Sequence, residues 1–166
     1  MKTLLIIRHA KSSWDNANES DIQRPLNDRG KRDAPAMAQR LIRNGITIDR
    51  FVSSPAKRAL QTAESFTHVF GNKKKDIGII PDLYHASPVT FKQVVADLDD
   101  GDDTVAVFSH NPGITAFVNT LTEMRVDNMP TCSIFAVKSK AEHWSGFLDS
   151  HPQFWFFDYP KSGRHD

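Results

Sequence analysis

Apolar and polar positions in this chain switch between two periods, and the switches divide it into alternating strands and helices. Leu4-Leu5-Ile6-Ile7 is a short continuous apolar run, the pattern of a strand covered on both faces, and it stops at Arg8-His9 followed by small polar residues. Residues 14–23 are polar and rich in Asn, Asp and Ser, which predicts a loop or lid beside the end of that strand. Over 29–44 the apolar residues Ala34, Met37, Ala38, Leu41 and Ile42 fall at helical spacing, with Asn27 or Asp28 as N-cap and Gly45 as the stop. Pro35 inside this pattern predicts a kink or a later start. A second strand is expected over 46–52. Ser54 and Pro55 then read as the N-cap and first residue of a helix over 56–70.

The alternation continues with a strand over 77–80 and a helix that opens at Ser87-Pro88 and runs to about residue 98. The acidic turn 99–103 lacks the ligand spacing of a calcium loop and reads as a connection. Residues 104–108 form the clearest strand, ending in Ser109-His110-Asn111-Pro112-Gly113 and leading to a helix over 114–123. Strands over 131–137 and 154–159 follow, separated by an irregular stretch with a brief helix near Trp144. The aromatic run Phe154-Trp155-Phe156-Phe157 reads as a strand buried on both sides, and 161–166 are expected to fray. This order predicts a three-layer α/β/α fold with a mostly parallel central sheet, its last strands closing one edge.

Size and composition fit one ordinary globular domain spanning 1–166: 39% of residues are hydrophobic and 25% charged. A formal net charge of +1 argues against broad nucleic-acid binding. Cys132 is the single cysteine, so neither an internal disulfide nor a CxxC site can form, and it falls in a predicted strand. The apolar run behind Lys2 is too short for the core of a signal peptide, and no stretch approaches a membrane span, so a cytoplasmic protein is expected.

The candidate chemistry lies at strand ends. Arg8-His9 follows the first strand, Arg58 opens the helix after the second, and His110 follows the strand over 104–108. In a doubly wound sheet such ends converge on one side. Arg58 stands in the first turn of a helix, where the backbone already favours an anion, so a purely local reason for a cation there is weak. Guanidinium groups clamp phosphate oxygens, one imidazole attacks phosphorus, and a second stabilises the developing charge. The histidine spacing matches no common metal motif, and two arginines repel a cation, so no metal or cofactor is expected.

Arg8-His9, Ser54-Pro55-x-x-Arg58-Ala59-x-x-Thr62-Ala63 and Ser109-His110 resemble the histidine phosphatase (phosphoglycerate mutase-like) superfamily. The likeness is closest to its small SixA-like branch of phosphohistidine phosphatases, whose pattern Arg24-Pro25-Leu26-Asn27-x-Arg29-Gly30 also matches. The resemblance implies that His9 is the nucleophile that becomes phosphorylated, with Arg8, Arg58 and His110 completing the phosphate pocket. Ser12 and Asp15 match positions near the phosphate or the nucleophile, Asp15 replacing the family's usual asparagine; Asn111, following the second histidine, is a candidate donor to the phosphate, and Arg24 reads either as a further contact or as an exposed loop arginine. Two departures stand out. The usual Arg-His-Gly is Arg-His-Ala, so residue 10 must avoid a positive φ. The acid that relatives active on alkyl phosphates carry after the third strand is represented only by Asp82, with His85 nearby.

A weak acid suits the labile phosphorus–nitrogen bond better than an alkyl ester, whose leaving oxygen needs a placed proton. With no insertion to cap the pocket, a side chain on another protein could reach it. The expected activity is therefore hydrolysis of phosphohistidine on partners such as histidine-containing phosphotransfer domains, releasing inorganic phosphate. A small-molecule phosphomonoesterase using Asp82, and a phosphate-binding module without turnover, are the alternatives.

Overall fold

A computed structural model describes residues 1–162. Six strands form one sheet: β1 (Lys2–Arg8), β2 (Arg50–Ser53), β3 (Ile77–Ile79), β4 (Thr104–Ser109), β5 (Ile134–Ser139) and β6 (Gln153–Asp158). Their order is β3-β2-β4-β1-β5-β6. The first four run parallel, and β5 and β6 add antiparallel at one edge. Four α-helices flank the sheet: α1 (Asp28–Arg43), α2 (Lys57–Val69), α3 (Pro88–Ala96) and α4 (Gly113–Val118).

Strand alternation sends β1 into two cores. Leu5 and Ile7 join Met37, Leu41, Ala63 and Phe66 beneath α1 and α2, whereas Leu4 and Ile6 join Phe91, Val95, Phe117 and Trp144 on the other face. Burial on both faces explains why β1 reads as an unbroken apolar run. The three-layer arrangement is the one expected from the sequence.

Several boundaries differ, each for a local reason. Asn27 caps α1 by accepting from the Gly30 N–H at 2.9 Å, and the helix runs through Pro35, its buried face outweighing one missing N–H donor. Residues 46–49 are not strand: Ile46 N–H donates back to Leu41 O, and the Asp49 carboxylate accepts from the amides of Asp103 and Thr104. Ile46 and Ile48 are buried without joining the sheet, so their apolar pattern reports burial rather than pairing. α2 starts at Lys57 with Ala56 as N-cap. α4 stops at Val118 because the Asn119 side chain turns to exchange hydrogen bonds with the backbone of Val126.

β5 begins at Ile134, so Cys132 lies just before it, buried at φ 61°. β6 is an edge strand whose aromatics are only partly buried, because β5 alone pairs with it. Trp155 packs instead under the Lys138 ammonium, 3.5 Å from its ring centre. The acidic turn is indeed a connection, its carboxylates engaging Lys2, Arg50, His143 and the Trp144 amide. The fraying expected over 161–166 falls, from residue 163 on, outside the described residues. No described helix is long and apolar enough to cross a membrane.

Gly30 marks a close approach: a Cβ there would lie 2.2 Å from the Lys11 carbonyl oxygen, in the loop that follows β1. Gly30→Ala is expected to lower stability by about 2 kcal/mol through this overlap, measured by urea denaturation.

Candidate active site

Parallel register brings the functional ends together. Arg8 pairs with Ser109 across β1 and β4, and Ser53 pairs with Phe108 across β2 and β4, so three carboxyl-terminal strand ends stand side by side. The chain past each end stays laced: His9 N–H donates to Ser109 O at 3.1 Å, and Ser54 N–H to Phe108 O at 3.0 Å. Between them opens a cavity of about 440 Å³ whose walls include Arg8, His9, Ser12, Arg24, Arg58 and His110.

His9 is 6% exposed, and its Nδ1 lies 2.7 Å from the Ala10 carbonyl oxygen. A carbonyl only accepts, so Nδ1 carries the hydrogen and Nε2 keeps its lone pair. Burial, reinforced by Arg58, Arg8 and Arg24 against the opposing pull of the Ala10 carbonyl, depresses the His9 pKa to about 3. Ala10 has no positive φ, as the missing glycine requires, and its N–H donates to Thr62 Oγ1 at 3.0 Å.

The His110 ring lies 5.1 Å from that of His9, with Nε2 2.7 Å from Ser54 Oγ and Nδ1 buried without a partner. Burial first, then His9 and Arg58, push its pKa down to about 2. Ser54 therefore orients His110 instead of capping α2; its hydroxyl also accepts from the Ala56 N–H at 3.2 Å.

Three guanidinium groups surround the imidazoles. Arg8 donates from Nη1 to the Met129 carbonyl at 2.8 Å, while its Nε and that of Arg58 are buried without partners. Burial, then the neighbouring Arg58, lower the Arg8 pKa. Arg24 reaches Ser12 Oγ at 2.9 Å, and its guanidinium lies 3.5 Å from the centre of the Trp14 ring, a side chain left 73% exposed at the rim.

Asp21, which sequence reasoning did not single out, ties this cluster together. Its carboxylate accepts from Tyr84 Oη at 2.6 Å, Arg58 Nη2 at 3.1 Å and Arg24 Nε at 3.2 Å, and its backbone carbonyl accepts from Arg58 Nη1 at 2.7 Å. The Tyr84 bond foremost, then the arginines against the opposing effect of desolvation, hold it well below the usual carboxylate range. The 14–23 segment thus folds onto the pocket through a short 3-10 turn, Asp21–Gln23. The signal was present as Asp-x-x-Arg, a carboxylate one turn before Arg24, and as a first-turn arginine on α2 with no nearby counter-charge.

Arg8, His9, Ser12, Arg24, Arg58, His110 and Asn111 all line the cavity, joined by Lys11, Asp21, His85 and Thr131. Asn111 differs in detail. Its amide donates to Asn128 Oδ1 and Met129 O and its oxygen accepts from Thr115, so the side chain braces a wall. Asp15 is exposed and does not line the cavity. Asp82 is likewise exposed in the turn Pro81–Leu83 and away from the cavity, because the backbone turns there and presents His85 instead.

A sheet-end pocket of guanidinium groups around two uncharged imidazoles is suited to a tetrahedral dianion, which defines a class of phosphoryl-handling α/β proteins. Comparison agrees. Residues 4–84 match the family model of the histidine phosphatase superfamily (branch 1). The Mycobacterium leprae protein ML1117 is 30% identical over 83% of this chain and 89% of its own length. The solved structure of the protein histidine phosphatase SixA complexed with tungstate superimposes with a TM-score of 0.80 at 25% identity, covering 95% of this chain and 97% of the other. An Entamoeba histolytica phosphoserine phosphatase bound to 3-phosphoglyceric acid shares the fold at a TM-score of 0.66 and 20% identity, over 95% and 97% of the two chains. The chain belongs to the histidine phosphatase superfamily and has a SixA-like form of the phosphoglycerate mutase-like fold. Its activity is that of a phosphatase.

Two outcomes follow from these electrostatics. Between the ordinary imidazole pKa of about 6.5 and the native values, the unfolded chain binds protons that the native chain refuses, so acidification through that window favours unfolding. His9→Gln removes one such site and is expected to flatten the fall in urea midpoint between about pH 7 and pH 4.5. Asp21→Asn removes a negative charge beside the anion site but loosens Arg58 and Arg24. It is expected to leave inorganic phosphate binding as tight or tighter while lowering kcat about tenfold or more, read by calorimetry and steady-state kinetics.

Proposed function

We propose that this protein hydrolyses phosphohistidine on partner proteins, without a metal, through a covalent phosphoryl intermediate on His9. The observation that carries this reading is the 2.7 Å bond from His9 Nδ1 to the Ala10 carbonyl, which leaves the Nε2 lone pair available for in-line attack. Arg8 and Arg58 hold the non-bridging oxygens, each with an unpartnered Nε to offer. Arg24 and the Ser12 hydroxyl add donors beside them, and Asn111 keeps its wall in place. His110 Nδ1, also unpartnered, suits the charge that spreads over the equatorial oxygens.

In the first step Nε2 bonds to phosphorus, and the bond to the substrate nitrogen breaks with its electron pair leaving on that nitrogen. Water then attacks phosphorus, the pair returns to His9 Nε2, and inorganic phosphate departs. A cation in the metal's usual role would meet three arginines, which argues for metal independence on charge alone.

A protein substrate is supported by the exposed Trp14 at the rim of the cavity, and Asp82 lies outside the cavity, so the phosphomonoesterase alternative in its Asp82 form finds no support. The similar solved structure of SixA is that of a protein histidine phosphatase, which supports the same reading. Histidine-containing phosphotransfer domains are the partners we propose, with no role for nucleic acid or membrane. A cytoplasmic setting accords with the single buried, unpaired Cys132.

His9→Ala is expected to cut turnover of a phosphohistidine protein by about 10³-fold or more and to abolish an acid-labile, base-stable 32P adduct seen with the wild type. Activity in excess chelator should match that without it. Retained turnover by His9→Ala would remove the reading, and phosphate binding with no adduct would favour the binding-module alternative.

A further inference from the structure

The phosphoryl pocket shares a wall with a second cavity that the steps above do not use. It encloses about 410 Å³, with Ala86, Pro88, Gly113 and Ala116 on the far side and His85 and His110 on the side common to both. The far wall is tightly built: a Cβ on Gly113 would lie 1.8 Å from the Ala86 carbonyl oxygen, so the start of α4 and the chain at 86 are in direct contact. No carboxylate, lysine or arginine lines this cavity. Its chemistry suits an uncharged ring or alkyl group attached to the phosphorus rather than a second phosphate.

His85 stands at the boundary in a deliberate-looking conformation. Its φ is 59°, a left-handed backbone that non-glycine residues rarely adopt. The ring packs 4.0 Å from that of Tyr84, which is tethered in turn to Asp21. It is also exposed. Among the other acid–base groups at the pocket, His9 is the attacking group and His110 is held neutral by burial. Asp21 is held ionised by Tyr84 and the arginines.

We propose that the leaving group occupies this second cavity and that His85 passes it the proton it needs. As Nε2 of His9 bonds to phosphorus, the bond to the leaving atom breaks, its electron pair stays on that atom, and the imidazolium of His85 supplies the proton. In the second step water attacks the phosphoryl group, the electron pair returns to His9, and His85 takes the water's proton, restoring its starting form. The net change is addition of one water across the broken bond. An imidazole is the side chain best matched to both directions near neutral pH.

This proposal rests on His9 chemistry, and the experiment separates the two. His85→Asn keeps a residue tolerant of the left-handed backbone while removing the transferable proton. Its kcat/KM is measured, beside wild type, on alkyl phosphate, phenyl phosphate, dinitrophenyl phosphate and phosphoramidate. The expected loss is about 10²–10³-fold on the alkyl ester and under tenfold on the dinitrophenyl ester, with phosphoenzyme accumulating on the latter because the water step slows. Equal losses on every substrate, or none, would overturn the proposal while leaving His9 untouched. A wild type active on a phosphohistidine protein but inert on this panel would overturn this proposal and leave the His9 mechanism standing, whereas a wild type inert on both would overturn both. Ala116→Leu narrows the second cavity and is expected to raise KM for phenyl phosphate by a larger factor than for phosphoramidate; equal factors would overturn the cavity's assignment.

Discussion

Positive charge gathered at one point is the constraint that governs this structure. Arg8, Arg24 and Arg58 converge on a pocket in which Arg24 and Arg58 are nearly buried, and their mutual repulsion in a poorly solvated place is unfavourable. Two features relieve it. Asp21 supplies one negative charge to Arg24 and Arg58 together, and both histidines stay uncharged. The second is chemically productive, since an imidazole that refuses a proton keeps a lone pair. Burial that destabilises the molecule in acid is the same burial that keeps a lone pair on His9.

The sheet makes this concentration of charge achievable. β4 lies between β1 and β2 with all three parallel, so the chain leaves the sheet three times at the same end, and each exit carries part of the pocket. Backbone bonds from His9 to Ser109, Ser54 to Phe108 and Cys132 to His9 fasten these exits to one another. The core beneath, split between two faces of β1, supplies the rigidity that lets polar groups be held at fixed separations.

Much of this was legible in the sequence because it depends on short-range patterns. Strand runs that stop at Arg8-His9 and Ser109-His110, and a helix opening just before Arg58, state which residues line the cavity once parallel register is assumed. What escaped depends on side chains meeting from far apart. Asp21 to Tyr84 spans 63 positions and Ser54 to His110 spans 56, and nothing local distinguishes such a serine from a helix cap. Asp82 misled for a related reason: composition cannot say which way a tight turn faces, and the left-handed backbone at His85 sets that direction. Ile46 and Ile48 show the same limit in the core, where an apolar pattern registers burial but not hydrogen bonding.

Ser109 donates from its hydroxyl to the Leu83 carbonyl at 2.6 Å, pinning the 81–86 stretch to the end of β4. The facing side of the pocket is fastened differently, by the half-exposed Asp21 carboxylate and its ion pairs. Covalent geometry and a buried hydroxyl bond respond little to dissolved electrolyte, whereas partly exposed ion pairs weaken as ionic strength rises. Asp21, which also accepts from Tyr84 Oη of the 81–86 stretch, is therefore the fastening of the mouth that yields first as ionic strength rises.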